Sequence, residues 1–541
     1  MTSAKKKVCI VGAAASGLPA IKSCLEYGFE PVCFEKTNDI GGLWRYKPGE
    51  CYSEASVMRS TIINTSKEMT AYSDFPPPAD YPNFMHNRQM LDYFRMYAKR
   101  FDLERHIHFE TAVVDVSREA DFAQTGRWRV VYRSNGGTTN EDTFDAVLLA
   151  SGHHADPYWP PPFKGQDTFM GRVLHGHSYK DFHVFEEQRV VVVGLGNSGA
   201  DISVELGKVG AKVYLVTRRG SWIMNRVGPR GYPSDLARRT RFSSTLFDCL
   251  PLTFSSSKVE RYLNARFDHE LYGLRPKHRV FQAHSTVNDE LPNRICSGTV
   301  VVKPQITEVG KRHVTFVDGS RVDDVDVLIL CTGYSFSFPY LEGGTLIPVE
   351  ENQVSLYKYM FEPRLAHPET LGVLGLIQPL GSTMPISELQ ARLFCDVLSG
   401  DTKLPGRVEM DADIARNKEA MRRRYVASRR HTIQVDLKDY MDQLASMAGC
   451  MPNLRRYFFT DHELWRKLMF GPFVSYQFRL DGPHPWEGAR EAILGVQQRV
   501  EKPLRTRRCD VERAEATTTI GIGVFVVALL LFGVVVLLVF W

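Results

Sequence analysis

Residues 189–219, RVVVVGLGNSGADISVELGKVGAKVYLVTRR, restrict the fold more than any other stretch of the chain. Val190 to Val193 form an unbroken apolar run, the composition of a strand covered on both faces. Gly194, Gly196 and Gly199 follow at G-x-G-x-x-G spacing, and an amphipathic segment closed by glycine follows them. In such a turn the first glycine allows the tight bend and the second lets a pyrophosphate approach the backbone. The third lets the helix pack close to the strand. Ser198, Gly199, Ala200 and Asp201 stand at the helix start, where unpaired N–H groups favour anions. The next strand, Lys212 to Val216, ends in Thr217-Arg218-Arg219 rather than in an acid. A carboxylate there would repel a 2′-phosphate, whereas a guanidinium pairs with one bidentately. The expected nucleotide is NADPH, with Arg218 on its 2′-phosphate; a solvated basic turn is the plainer alternative.

The N-terminus carries an altered copy of the same pattern. An apolar strand end, Val8 to Val11, runs into Gly12, Ala13, Ala14, Ala15, Ser16 and Gly17, so that Ala14 takes the place of the middle glycine. Three readings compete: an altered nucleotide site, an unrelated strand–turn–helix, and a secretory signal built on Lys5-Lys6-Lys7. The apolar run is short and broken by glycine, which weighs against the signal. A second strand, FEPVCFEK, ends at Glu35, placed to accept hydrogen bonds from ribose hydroxyls. A free ribose fits FAD, cradled by Gly12 to Gly17.

The 541-residue length suggests two or three domains. A formal net charge of +5 gives no case for nucleic acid as a partner. The ten cysteines form no C-x-x-C, and Cys9 and Cys33 fall in expected strands as small buried hydrophobes, a pattern suited to a reducing compartment. Residues 520–541 contain no charge in 22 residues; as a helix they would run about 33 Å, enough to cross a bilayer core of roughly 30 Å. Cations in RTRRCDVER precede the tail, so the positive-inside rule leaves the folded body in the cytosol on a C-terminal single-pass anchor. The sequon at Asn64-Thr65-Ser66 would then never meet the glycosylation machinery.

FDAVLLASGHH (144–154) and VDVLILCTGYS (325–335) each read as a buried strand stopped by small residues and glycine, and TGRWRVVYRSNGGTTNEDTFD reads as a hairpin turning near Asn135-Gly136. The expected class is α/β, with two Rossmann-like dinucleotide-binding domains, an insertion and a C-terminal transmembrane helix. The expected division is 1–157 for the first part of the FAD domain and 158–218 for the first part of the NADPH domain. An insertion over the site follows at 219–298, the NADPH-domain return at 299–335, the second FAD part at 336–512 and the anchor at 520–541. The aromatic and basic insertion, with FGPFVSYQFRL near 470, is a candidate for resting on membrane lipid; a subdomain with its own small core is the alternative. His153-His154 and His175-x-His177 lack a carboxylate or cysteine partner at any usual metal spacing, so no metal is expected.

With two nucleotide turns and no triad, metal set or cysteine pair, the hard chemistry falls to a flavin. The chain resembles the flavin-containing monooxygenases of the animal, microsomal type, over nearly its whole length. FMGRVLHGHSY (169–179) fits their identifying pattern through Phe169, Gly171, His175 and Tyr179; DIGGLWRY, INTSKEM, SDFPPPADYPNFMHN, NDELPNRI, CTGYSFSFP and LIQPLGSTMPISELQAR are similar too. Ala14 departs from the family's usual glycine; its methyl could crowd the pyrophosphate while keeping the N–H. The resemblance implies that Leu43 and Trp44 line the flavin. It also implies that Asn64, flanked by Ile63 and Thr65, is the catalytic asparagine, with Gln378 a weaker candidate for the same cavity. The implied chemistry is hydride transfer from NADPH to FAD, addition of O₂ as a C4a-hydroperoxide in a dry pocket, and oxygen transfer to soft nitrogen or sulfur in lipophilic xenobiotics or metabolites. His284 and RYVASRRHTIQ resemble the branch that inserts oxygen into ketones by the Baeyer–Villiger route. A third reading is a membrane-bound NADPH-binding sensor or scaffold that leaks electrons to O₂ as H₂O₂. Expected partners are a small lipophilic substrate, O₂ and membrane lipid, at the endoplasmic reticulum; self-association stays open.

Overall fold

The computed structural model describes residues 5–49, 54–209 and 212–507; the tail 520–541 lies outside them. Among the described residues no helix is long and apolar enough to cross a membrane. Both glycine turns leave a buried parallel strand. In the first sheet the spatial order is Leu371–Val373, Ala146–Leu149, Lys7–Val11, Glu30–Phe34, Ile107–His108, every neighbour parallel. In the second it is Val300–Lys303, Lys212–Val216, Arg189–Val193, Val327–Leu330, Arg172–His175, again all parallel.

Period-two side-chain alternation explains why these runs are apolar throughout. Val8 and Ile10 face the large core under helices Gly17–Glu26 and Met384–Ser399, whereas Cys9 faces the core around Trp128 and Phe144. Val190 and Val192 face one layer of the second unit and Val191 the other. The hairpin forms as Trp128–Ser134 and Thr139–Phe144, with Gly137 at φ +80° in its turn. The chain passes between the two units at a short antiparallel pair, Asp156–Pro157 against Tyr334–Ser335. The stretch FMGRVLHGHSY is structural here. A Cβ on Gly171 would lie 2.4 Å from the Asp326 carbonyl oxygen, and the Tyr179 hydroxyl donates to Glu205 on the helix of the second turn (2.5 Å).

Residues 219–298 hold helices Ser234–Arg238, Arg241–Asp248 and Leu252–Arg266 around a small core of Trp222, Leu263 and Val280. Arg241 fastens this segment to the body, donating to Gln477 and, bidentately, to Asp442. FGPFVSYQFRL does not form the expected membrane surface. Phe473, Val474, Tyr476 and Phe478 are buried, and the Tyr476 hydroxyl donates to Glu68 (3.0 Å). A phenol bonded to a buried carboxylate is a core element, not a lipid contact.

Candidate active site

A cavity of about 1120 Å³ runs from the first glycine turn, past Asn64, into the 219–298 segment. Gly12, Ala14, Ala15 and Ser16 form one wall. Gly12 has φ +101°, and a Cβ on Gly17 would meet the Gly12 carbonyl oxygen at 1.8 Å, so the helix seats directly on the turn. Ala13 and Gly17 are buried behind this wall. Glu35 is also buried at its edge: one carboxylate oxygen accepts the Ala13 N–H (2.9 Å), the other the Thr37 N–H (2.9 Å) and hydroxyl (2.8 Å). A carboxylate has about four acceptor positions, so capacity remains toward the cavity for a ribose.

Leu43, Trp44, Ile63, Asn64, Thr65 and Gln378 all line the same cavity. Arg226 Nη2 donates to Asn64 Oδ1 (2.7 Å), across 162 residues of sequence. Arginine cannot accept, so this bond fixes the amide with its oxygen on Arg226 and its NH₂ free to donate into the cavity. Arg226 is held in turn by Asp289 (3.3 Å). Gln434 Nε2 donates to Gln378 Oε1 (2.7 Å). Half-buried Asp235 accepts the Ser66 N–H (2.7 Å), and desolvation pushes its carboxyl above the ordinary range. His154 lines the wall as well, pushed down to about 4 by burial.

The structure does not bring every expected residue into this one space. Gly194, Gly196, Ser198, Gly199, Ala200 and Asp201 lie at the second turn, of which only Asn197, an unforeseen residue, reaches the first cavity. Arg218 lines a second cavity of about 970 Å³ with Arg219, Arg275, Lys277 and Lys303. Arg226 and Asp235 were also missed. Neither belongs to a spacing pattern; both arrive from the 219–298 segment by folding. Gly375 was missed as well: it has φ +72°, and a Cβ on it would lie 2.5 Å from Ser16 Oγ.

Two glycine turns stand on two parallel sheets, the first walling one cavity and the strand after the second leading to another, and a family model described as flavin-binding monooxygenase-like matches residues 5–539. The chain belongs to that family. It is 48% identical to flavin-containing monooxygenase 5 of Rattus norvegicus over 534 residues, covering 98% of this chain and 99% of the relative. It is 47% identical to dimethylaniline monooxygenase [N-oxide-forming] 2 of Mus musculus over 503 residues, 93% and 94% of the two chains. Among solved structures, S-allyl-L-cysteine S-oxygenase of Allium sativum shares the fold with a TM-score of 0.63 at 24% identity, covering 93% of this chain and all of that one.

As a flavin-binding monooxygenase the protein uses FAD and NADPH with O₂. The residues present fit FAD: a helix N-terminus for its pyrophosphate, Glu35 for its ribose, and a large cavity beside them. They fit NADPH at a second helix N-terminus with a basic cavity beyond it. The flavin, when bound, accepts hydride and activates oxygen. The chain's own contribution at this place is the Asn64 amide, whose oxygen is held by Arg226 and whose NH₂ is left as a donor.

Proposed function

We propose that the protein oxygenates soft nitrogen or sulfur in small lipophilic substrates, using the turn at Gly12–Gly17 for FAD and that at Gly194–Gly199 for NADPH. The Asn64 amide carries this reading: its oxygen is tied to Arg226, so its NH₂ faces the cavity beside Trp44 and the first turn. A preorganised donor stabilises developing negative charge without reorganising. The N-oxide-forming relative and the S-oxygenase neighbour are named for oxygenating nitrogen and sulfur, the same substrate class. Ketone insertion is a second reading. It is favoured by the likeness around His284 and by the buried His284 Nδ1, which has no hydrogen-bond partner among the described residues and lies on a ring lining the cavity.

The same reading places the division at 157/158, 218/219, 298/299 and 335/336, and puts residues 520–541 in the endoplasmic reticulum membrane with the body in the cytosol. Its support is the uncharged tail behind a run of cations. Exposed Leu252, Phe254 and Tyr262 make the 219–298 segment a further lipid contact, and self-association is compatible with this arrangement. The test is product analysis with NADPH and O₂, offering methimazole and a linear ketone to the purified protein. Methimazole oxygenation coupled to NADPH consumption is expected; ester as the main product selects ketone insertion, and H₂O₂ alone discards both. Asn64→Asp should keep FAD but raise H₂O₂ release, since a carboxylate paired with Arg226 has no proton to donate; unchanged release would remove Asn64 from its role.

A further inference from the structure

The segment 424–434 carries three arginines, and two of them are engaged. Arg424 is paired with Asp436. Arg429 is paired with Glu351 (3.2 Å), donates to Ser335 Oγ (3.1 Å) and lies 4.1 Å over the Tyr158 ring. Arg430 differs. Among the described residues its guanidinium has no hydrogen-bond or ion-pair partner, although its backbone is held by Ser428 and Gln434.

That free guanidinium lies on the bare face of Gly196, the middle glycine of the second turn. A Cβ there would be 3.3 Å from Arg430 Nη2 and 3.7 Å from Cζ. Arg430 is exposed, and desolvation by the protein around its guanidinium lowers its pKa. Gly196 is the N-cap of helix Asn197–Leu206, whose N-terminus carries positive partial charge. A guanidinium facing a helix N-terminus with no carboxylate between them is electrostatically unfavourable unless an anion bridges the two.

The backbone that presents Arg430 is tethered to two other parts of the chain. The Val426 N–H donates to the Gln282 carbonyl (2.8 Å), the His284 N–H to His431 Nε2 (3.2 Å), and the Gln378 N–H to the Ile433 carbonyl (2.7 Å). The segment therefore ties the 219–298 segment to the wall of the flavin cavity.

We propose that Arg430 grips the pyrophosphate of NADPH from the side opposite the Gly194–Gly199 turn. The proposal rests on the reading that this turn holds NADPH. With ligand present, the long side chain moves off Gly196 and pairs with the phosphate oxygens, so that turn and arginine enclose them. Nothing in the sequence spacing announces this residue, because it comes from a different part of the chain.

The pyrophosphate is common to NADP⁺ and NAD⁺, and the 2′-phosphate is not. Calorimetric titration of the FAD-loaded full chain with each nucleotide therefore separates the two sites. Arg430→Ala should weaken both nucleotides by a similar factor, about ten-fold or more, with Arg430→Lys recovering part of it and FAD content unchanged. Arg218→Ala should weaken NADP⁺ alone. Unchanged NADP⁺ affinity in Arg430→Ala, a loss confined to NADP⁺, or loss of FAD would each overturn the proposal. A Gly199→Ala protein that still binds NADP⁺ normally would instead overturn the reading of the turn.

Discussion

At the first turn Gly12 has φ +101° and a Cβ on Gly17 would lie 1.8 Å from the Gly12 carbonyl oxygen; at the second, Gly194 has φ +113° and the corresponding distance from Gly199 is 1.9 Å. A crossing strand closes in on each in the same way: Ala150 O lies 2.8 Å from a Cβ on Gly12, and Cys331 O lies 2.5 Å from one on Gly194. The backbones match, and the side chains around them do not. Ala14 stands against Gly42, whereas Gly196 stands against Arg430. Pro19 in the first helix corresponds to Asp201 in the second. Glu35 turns inward to the Ala13 N–H, while the second strand continues into Arg218 on an open basic cavity. Geometry common to both turns seats a pyrophosphate; the surrounding side chains decide which nucleotide and how tightly.

The largest expected effect breaks the shared geometry. Gly17→Ala and Gly199→Ala each force a Cβ to within 2 Å of a carbonyl oxygen, which the packed strand cannot yield. Gly17→Ala should be purified without flavin and with a lowered melting temperature. Gly199→Ala should keep FAD and lose NADP⁺ binding. If both variants lose both cofactors, the turns are coupled rather than independent. Next comes Arg218→Ala, which should raise the KM for NADPH about ten-fold or more while leaving that for NADH nearly unchanged. Equal changes would assign the 2′-phosphate to Arg219 or Lys277 instead.

The strands, both turns and the hairpin were legible because each depends on local pattern: apolar alternation, glycine spacing, a turn at Asn135-Gly136. The cavity was half legible. Ala14 and Glu35, read from spacing, and Trp44 and Asn64, read from the resemblance, line one cavity, but Arg226, Asp235 and Arg430 come to their places by contacts that no spacing encodes. FGPFVSYQFRL failed for a different reason. Apolar and aromatic composition is the same for a core as for a lipid contact, and only partners such as Glu68 on Tyr476 distinguish them.

A smaller effect sharpens the contrast between Pro19 and Asp201. Burial, assisted by Glu205 and Glu290, raises the Asp201 pKa from 3.8 to about 6, against the opposing pull of Arg226 and Asn288. Because the folded value lies above the unfolded one, the stability this group contributes is full below pH 4 and is lost as pH rises through about 6. Asp201→Asn keeps an oxygen to accept from Asn288 Nδ2 and never ionises. It should stabilise the protein by about 1–2 kcal/mol at pH 8 and by about half as much at pH 5, read as urea midpoints at the two pH values. Equal gains at both would mean that Asp201 ionises as freely in the fold as outside it.

The smallest effect is expected at Ala14, where the first turn departs from three glycines. By spacing alone a methyl there obstructs the pyrophosphate, yet its neighbour is Gly42: a Cβ on Gly42 would lie 2.7 Å from Ala14 Cβ. The space that Gly42 leaves is the space the Ala14 methyl uses, so the methyl packs against the G-G-x-W loop. Ala14→Gly should then change the FAD dissociation constant by less than about three-fold, while added unfolded-chain entropy lowers apoprotein stability by about 0.4–1 kcal/mol. Flavin titration of apoprotein and melting of the apo form measure the two terms separately. Tighter FAD binding in the glycine variant would show that the methyl does crowd the phosphate and that Gly42 relieves only part of the strain. Gly42→Ala supplies the converse, since a second methyl at φ +51° would meet the first, and its FAD loss should exceed that of Ala14→Gly. In Ala14→Gly combined with Gly42→Ala the clash is gone but the positive φ remains, so recovery should be partial. Full recovery would show that contact between the two positions, and not backbone conformation, is what keeps residue 42 a glycine.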